Sequence, residues 1–117
     1  MKLFDSELKV MDVLWENGET TAKRISEILA ERIGWNVNTT YTVIKKCAAK
    51  GAVERREPHF VCVPLVTRDE AREYEINELA GKLFGGSVDK LFAAMLDKRE
   101  LPGELIEKLK RQLDGKD

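Results

Sequence analysis

The sequence predicts a mainly α-helical protein with one small β-hairpin. Three observations carry this expectation. Apolar residues recur at helical spacing through most of the chain, and the pattern becomes strand-like only across residues 52–63. Gly, Ser, Thr and Asn stand where short helices would start and stop. The length, 117 residues, suits one domain or a small domain with an appendage.

Asp5 or Ser6 is placed to cap a first helix, in which Leu8, Met11, Leu14 and Trp15 follow helical spacing and Gly18 stops it. Trp15 reads as core. Gly18-Glu19-Thr20 is a turn with room for a small strand. Thr20 or Thr21 caps a second helix that turns Ala22, Ile25, Ile28 and Leu29 inward and ends near Ile33-Gly34. Asn38 is expected to cap a third helix, with Thr40, Ile44, Cys47 and Ala48 on one face and Gly51 at its end. The runs Ala52–Arg56 and His59–Val63, separated by Glu57-Pro58, then read as a hairpin closed by Pro64. Three short helices followed by a β-hairpin, the third helix basic on one side, describe a winged helix-turn-helix.

Thr67 caps a fourth helix with Ala71, Tyr74, Leu79 and Leu83 as its apolar positions, and Gly85-Gly86 breaks it. Ser87 caps a fifth, carrying Val88, Leu91, Phe92, Met95 and Leu96. Pro102 suits the first turn of a sixth, with Leu105, Ile106, Leu109 and Leu113 on one face. These last fifty or so residues cannot enclose much core alone. Their apolar stripes call for a second copy of the chain, with Leu91, Phe92, Met95, Leu105, Ile106, Leu109 and Leu113 at the interface. The expected division is a winged-helix domain over residues 1–66 and a helical dimerisation domain over residues 67–117.

Composition narrows the function. The hydrophobic share of 43% supplies a core, and a net charge of −1 argues against disorder. No apolar run approaches the roughly 18 residues of a membrane span, and Met1–Asp5 lacks a signal-peptide core. Cys47 and Cys62 make no disulfide framework; a reducing cytoplasm with both thiols as small hydrophobes is the simplest reading. The chain has no Gly-rich phosphate loop, G-x-S-x-G, HExxH or CxxC, and its single His59 has no nucleophile partner, so no enzyme is expected. His59 and Cys62 have no further soft ligands nearby in sequence, so neither metal nor cofactor is expected.

The charge is unevenly distributed. Residues 1–33 carry a net of −2, residues 34–66 a net of +3, and residues 67–117 a net of −2. With Ile44 inward and steps of about 100° per residue, Asn38, Thr39, Thr42, Lys45, Lys46 and Ala49 fall on the outer side of the third helix. A recognition helix has this profile: short polar side chains at the start reach base edges, and cations further along reach phosphates. Asn38, Thr39 and Thr42 are the candidate base contacts, Asn favouring adenine and the Thr methyl meeting that of thymine. Lys45 and Lys46 are candidate backbone contacts. Trp35 reads either as core or as a ring lying against a sugar–phosphate strand. Arg55, Arg56 and His59 flank the hairpin turn and read either as a wing tip that lies along DNA or as solvent-facing charges that protect an edge hairpin. Lys23 and Arg24 stand in the first turn of the second helix and read either as phosphate contacts or as ordinary helix-surface charge.

Ser6–Trp15 (SELKVMDVLW) resembles the opening of the penicillinase-repressor family, which includes the beta-lactamase, methicillin-resistance and copper-responsive repressors. Asn38–Lys46 (NTTYTVIKK) and Lys50–Val53 (KGAV) resemble its recognition helix and the approach to its wing, and Leu101–Leu105 (LPGEL) the start of its last dimerisation helix. The resemblance spans nearly the whole chain. It implies a dimeric transcriptional repressor on a palindromic double-stranded DNA operator, often with TACA/TGTA-type half-sites. It also implies base contacts at Asn38, Thr39 and Thr42 and a phosphate contact at Lys46. The beta-lactamase repressors carry Lys where this chain has Asn38. The Cys-rich C-terminal motif of the copper-responsive members is missing, which disfavours copper sensing. Relatives are inactivated by a sensor-linked protease at a bond matching Ala94–Met95, where they carry Asn-Phe. Two other readings stay open: a winged-helix adaptor that binds an acidic protein, and a regulator that senses a small molecule.

Overall fold

Five helices and three short strands make up the residues that the computed structural model describes, 1–98 together with 103, 107 and 111. The first helix, α1 (Asp5–Asn17), is capped by neither Asp5 nor Ser6. Phe4 holds the cap position, and its amide donates to Glu7 Oε1 at 2.7 Å. A carboxylate three residues into the helix thus accepts from an amide near its start, half of a capping box. Strand β1 (Thr20–Thr21) leads into α2 (Ala22–Ile33), where Thr21 Oγ1 accepts from the Arg24 amide at 3.1 Å. Gly34 ends α2 in the left-handed region, at φ 71°, where a residue with a Cβ is strained.

The cap of helix α3 (Val37–Ala49) lies two residues before the expected position. Asn36, not Asn38, is the cap: its Oδ1 accepts from the Thr39 amide at 2.8 Å. Both asparagines suit the role, but only Asn36 follows the turn at Gly34-Trp35 with an extended backbone. Asn38 is thereby released to solvent. Strands β2 (Val53–Arg56) and β3 (Val61–Pro64) form the hairpin. His59 and Phe60, expected in the second strand, lie in the turn with φ of 74° and 50°, and left-handed residues cannot continue a ladder. The antiparallel sheet has the order β1-β3-β2, with Thr20 opposite Cys62 and Val53 opposite Pro64.

Val10, Met11 and Leu14 of α1, Ile25 and Leu29 of α2, Ile44 and Cys47 of α3, and Cys62 of β3 meet in one core. Burying each of the larger aliphatic side chains contributes about 1.5–3 kcal/mol. Trp15 packs at its edge, half-buried, and its Nε1 donates to the Val66 carbonyl at 2.9 Å, tying the chain leaving β3 to α1.

Helix α4 (Arg68–Leu83) is capped by Thr67, whose Oγ1 accepts from the Glu70 amide at 3.0 Å, and α5 (Val88–Lys98) by Ser87, accepting from the Lys90 amide at 3.2 Å. The chain divides into two units, Met1–Tyr74 and Glu75–Asp117, so α4 begins in one and ends in the other. In the second unit Ala80 and Leu91 are buried. Leu79 and Leu83, two of the apolar positions read from the sequence, are 42% and 70% exposed. Leu101, Leu105, Ile106, Leu109 and Leu113 lie outside the described residues. No described helix is long and apolar enough to cross a membrane.

Candidate nucleic-acid interface

The turn at Gly34 and the cap at Asn36 set how α3 leaves α2. The inner face of α3 is then fixed by apolar packing: Val43, Ile44 and Cys47 are buried, and Thr40 with them, its hydroxyl donating to the Asn36 carbonyl at 3.4 Å. What remains outward is Val37, Asn38, Thr39, Thr42, Lys45, Lys46 and Ala49, all exposed. Every outer-face residue read from the sequence is therefore on the surface of one helix.

An open cavity of about 410 Å³ runs beside this face, lined by Ser6, Asn36, Asn38, Thr39, Thr42, Val43 and Lys46. The α3 residues among them follow the spacing of a single stripe along the helix. The sequence reading missed Ser6, Asn36, Val37 and Val43. Ser6 carries no local signal, because only the packing of α1 on α3 brings it here. Val37, 57% exposed at the start of α3, presents an apolar group of the kind that meets a thymine methyl.

The basic middle third shrinks once its partners are seen. Lys50 Nζ lies 2.6 Å from Glu7 Oε1 and 2.8 Å from the Lys2 carbonyl, and sits 4.1 Å from the centre of the Phe4 ring. Burial alone would push the Glu7 carboxyl up, but the Lys50 and Phe4 hydrogen bonds and the nearby Lys46 charge together hold it below the usual carboxylate range. In the wing, Arg55 pairs with Glu57 and lies 3.7 Å over the Phe60 ring. Arg56 pairs with Glu54 at 3.0 Å and reaches Glu19 at 3.9 Å. The Arg55 hydrogen bond draws the Glu57 carboxyl below its ordinary range. Of the five cations in residues 34–66, only Lys45 and Lys46 have no ion-pair partner among the described residues.

Lys23 is exposed on the first turn of α2, and His59 is exposed at the wing tip. Trp35 is half-buried and packs against the core. The wing is anchored to α3 by Phe60, whose ring meets that of Tyr41 edge-on at 5.8 Å between centres, and whose carbonyl accepts from the Ala22 amide at 2.9 Å. Cys47 and Cys62 are fully buried, and desolvation raises their thiols to about 12 and about 11. In the other unit, Leu91 is already covered within the single chain, Phe92 and Ala94 are half-buried, and Met95 is 48% exposed.

The family described as "Penicillinase repressor" matches residues 3–115. The penicillinase repressor of Bacillus licheniformis is 23% identical over 115 residues, covering 97% of this chain and 90% of that protein. The methicillin resistance regulatory protein MecI of Mammaliicoccus sciuri is 23% identical over 117 residues, covering 98% and 95%. The solution structure of the DNA binding domain of the repressor BlaI superposes with a TM-score of 0.55 at 24% identity, over 59% of this chain and 87% of that one. That likeness identifies the winged-helix fold of the N-terminal part. With the family match across nearly its whole length, the chain belongs to the penicillinase-repressor family.

Proposed function

We propose that this chain is a transcriptional repressor that binds a palindromic double-stranded DNA operator as a homodimer in the cytoplasm. The observation that carries the reading is the outer face of α3, where Asn38, Thr39, Thr42, Lys45 and Lys46 are all exposed beside an open cavity. Asn38, Thr39 and Thr42 read bases; Lys45, Lys46, Lys23, Trp35 and the wing residues Arg55, Arg56 and His59 face the backbone. The names of the relatives, repressor and resistance regulator, support the same reading.

The dimer forms through the C-terminal part: Phe92 and Met95 of α5, Leu91 beneath them, and Leu105, Ile106, Leu109 and Leu113 further on. Joining two winged helices raises the effective concentration of the second at its half-site, so modest affinity per half-site suffices. Release follows an unknown signal, either cleavage at Ala94–Met95 by a sensor-linked protease, or else an effector or dilution of the dimer. A protease needs extended backbone, so the 11-residue α5 opens locally first. Intact-mass measurement of the protein from induced cells checks this, and a full-length chain after derepression removes cleavage as the signal.

The deciding experiment selects duplexes from a random pool with the full chain and titrates the selected and a scrambled duplex with salt. Repressor binding gives a preference for the selected duplex and a log–log salt slope set by the number of neutralised phosphates. Binding to neither duplex rejects the reading, and leaves a protein partner or a sensed small molecule to account for the exposed face.

A further inference from the structure

The first turn of α1 is pinned to the last turn of α3. Glu7 Oε1 holds Lys50 Nζ, and the Glu7 carbonyl accepts from the Cys47 thiol at 3.9 Å. Glu7 itself is 1% exposed, so this junction is rigid on its inner side. Ser6, its neighbour, is carried by the same turn to the rim of the cavity that α3 floors with Thr39, Thr42, Val43 and Lys46. Among the described residues the Ser6 hydroxyl makes no hydrogen bond, nor do the side chains of Asn38, Thr39 and Thr42, and Lys46 has no ion pair. The cavity is thus walled by hydroxyls from two helices, with one ammonium group at its side.

That set of groups suits an oxygen-rich anion wide enough to span both helices. A hydroxyl donates to a phosphate oxygen without needing charge, and a lysine beside it supplies the attraction. Once α3 lies in a major groove, the strand along the groove edge passes the flank of α3, and α1 is the element standing on that flank.

We propose that Ser6 is a DNA-backbone contact: its hydroxyl donates to a phosphate of the operator, on the same strand segment that Lys46 approaches. The proposal rests on the DNA-binding reading above and adds α1 to the elements that grip the duplex. A phosphate contact positions the protein without reading sequence. A neutral donor also leaves counterion release unchanged, unlike a lysine.

The test compares the full-length wild type with Ser6→Ala and Ser6→Thr on the selected duplex and its scrambled counterpart, over a salt series. A hydrogen bond of about 0.5–1.5 kcal/mol corresponds to roughly a 2- to 12-fold loss. Ser6→Ala is expected to weaken binding by about that much on both duplexes, with the salt slope of the wild type. Ser6→Thr, which restores the hydroxyl, is expected to recover most of the affinity. Equal affinity of Ser6→Ala and wild type overturns the proposal while leaving DNA binding intact. So does a loss confined to the selected duplex, which marks a base contact, or a loss that Ser6→Thr fails to repair, which marks a packing effect. Failure of the wild type to bind either duplex rejects the parent reading instead, and the proposal with it.

Discussion

Single side chains on α3 divide their work by chemistry. Thr39 is exposed, and its hydroxyl and methyl are free to meet a base edge. Thr39→Ala is expected to cost about 1–3 kcal/mol on the selected duplex and little on a scrambled one. Lys46→Ala is expected to weaken both and lower the salt slope by about one for each phosphate that is no longer neutralised. Fluorescence anisotropy over a salt series checks both; equal weakening of Thr39→Ala on the two duplexes removes its base-reading role. Glu7 works on stability. Its folded pKa lies below the ordinary value, so its ionised form stabilises the protein at neutral pH, and that contribution disappears as pH falls through the folded pKa. Glu7→Gln is expected to destabilise by roughly 1.5–3 kcal/mol near pH 7, since it weakens charge-assisted bonds to Lys50 and Phe4. The gap between variant and wild type should narrow in acid, as pH falls through the lowered folded pKa of Glu7 and the wild-type carboxyl takes up its proton. Urea unfolding at neutral and acid pH measures this, and a gap that does not change with pH contradicts it.

At the scale of elements, the wing behaves as a balanced surface. Glu57 occupies Arg55, and Glu54 and Glu19 occupy Arg56. A phosphate must displace a carboxylate to reach either arginine. Glu57→Gln is therefore expected to tighten binding several-fold on any duplex and to steepen the salt slope, because one more cation is available to release counterions. Unchanged affinity in that variant places Arg55 away from DNA. The wing also shows why some of the fold was legible and some was not. α1, α2 and α3 announced themselves through apolar spacing and glycine stops, as did the outer face of α3. The α3 cap was misplaced because Asn36 and Asn38 have the same capping chemistry, and only the geometry after Gly34 chooses between them. The β3 strand was started two residues too early because His59 and Phe60 look strand-like, and nothing local shows their left-handed backbone. β1 is two residues long and exists through pairing with β3, forty residues away. The charge excess of residues 34–66 overstated the basic surface for the same reason: the ion partners Glu7 and Glu19 lie in another third of the chain.

For the whole molecule, the proposal of a dimer turns on apolar groups that the single chain leaves open. Ile76, Leu79, Leu83, Val88 and Met95 are each at least 40% exposed. Met95→Asp is expected to leave the winged helix folded, lower the sedimentation coefficient to that of a monomer at micromolar protein, and reduce operator affinity sharply. A wild type that sediments as a monomer at that concentration contradicts the dimer. The two cysteines add a different property. Both are sealed in the core of the first unit, and the second unit contains none. With the Cys47 thiol raised to about 12, the reactive thiolate fraction at neutral pH is on the order of one in a hundred thousand, before steric shielding is counted. Peroxide therefore has little to attack at either thiol while the first unit stays folded. The same seal makes the chain its own chronometer: an alkylating reagent marks a molecule only after its N-terminal half has opened. The rate of marking therefore clocks that opening and reports on the first unit alone.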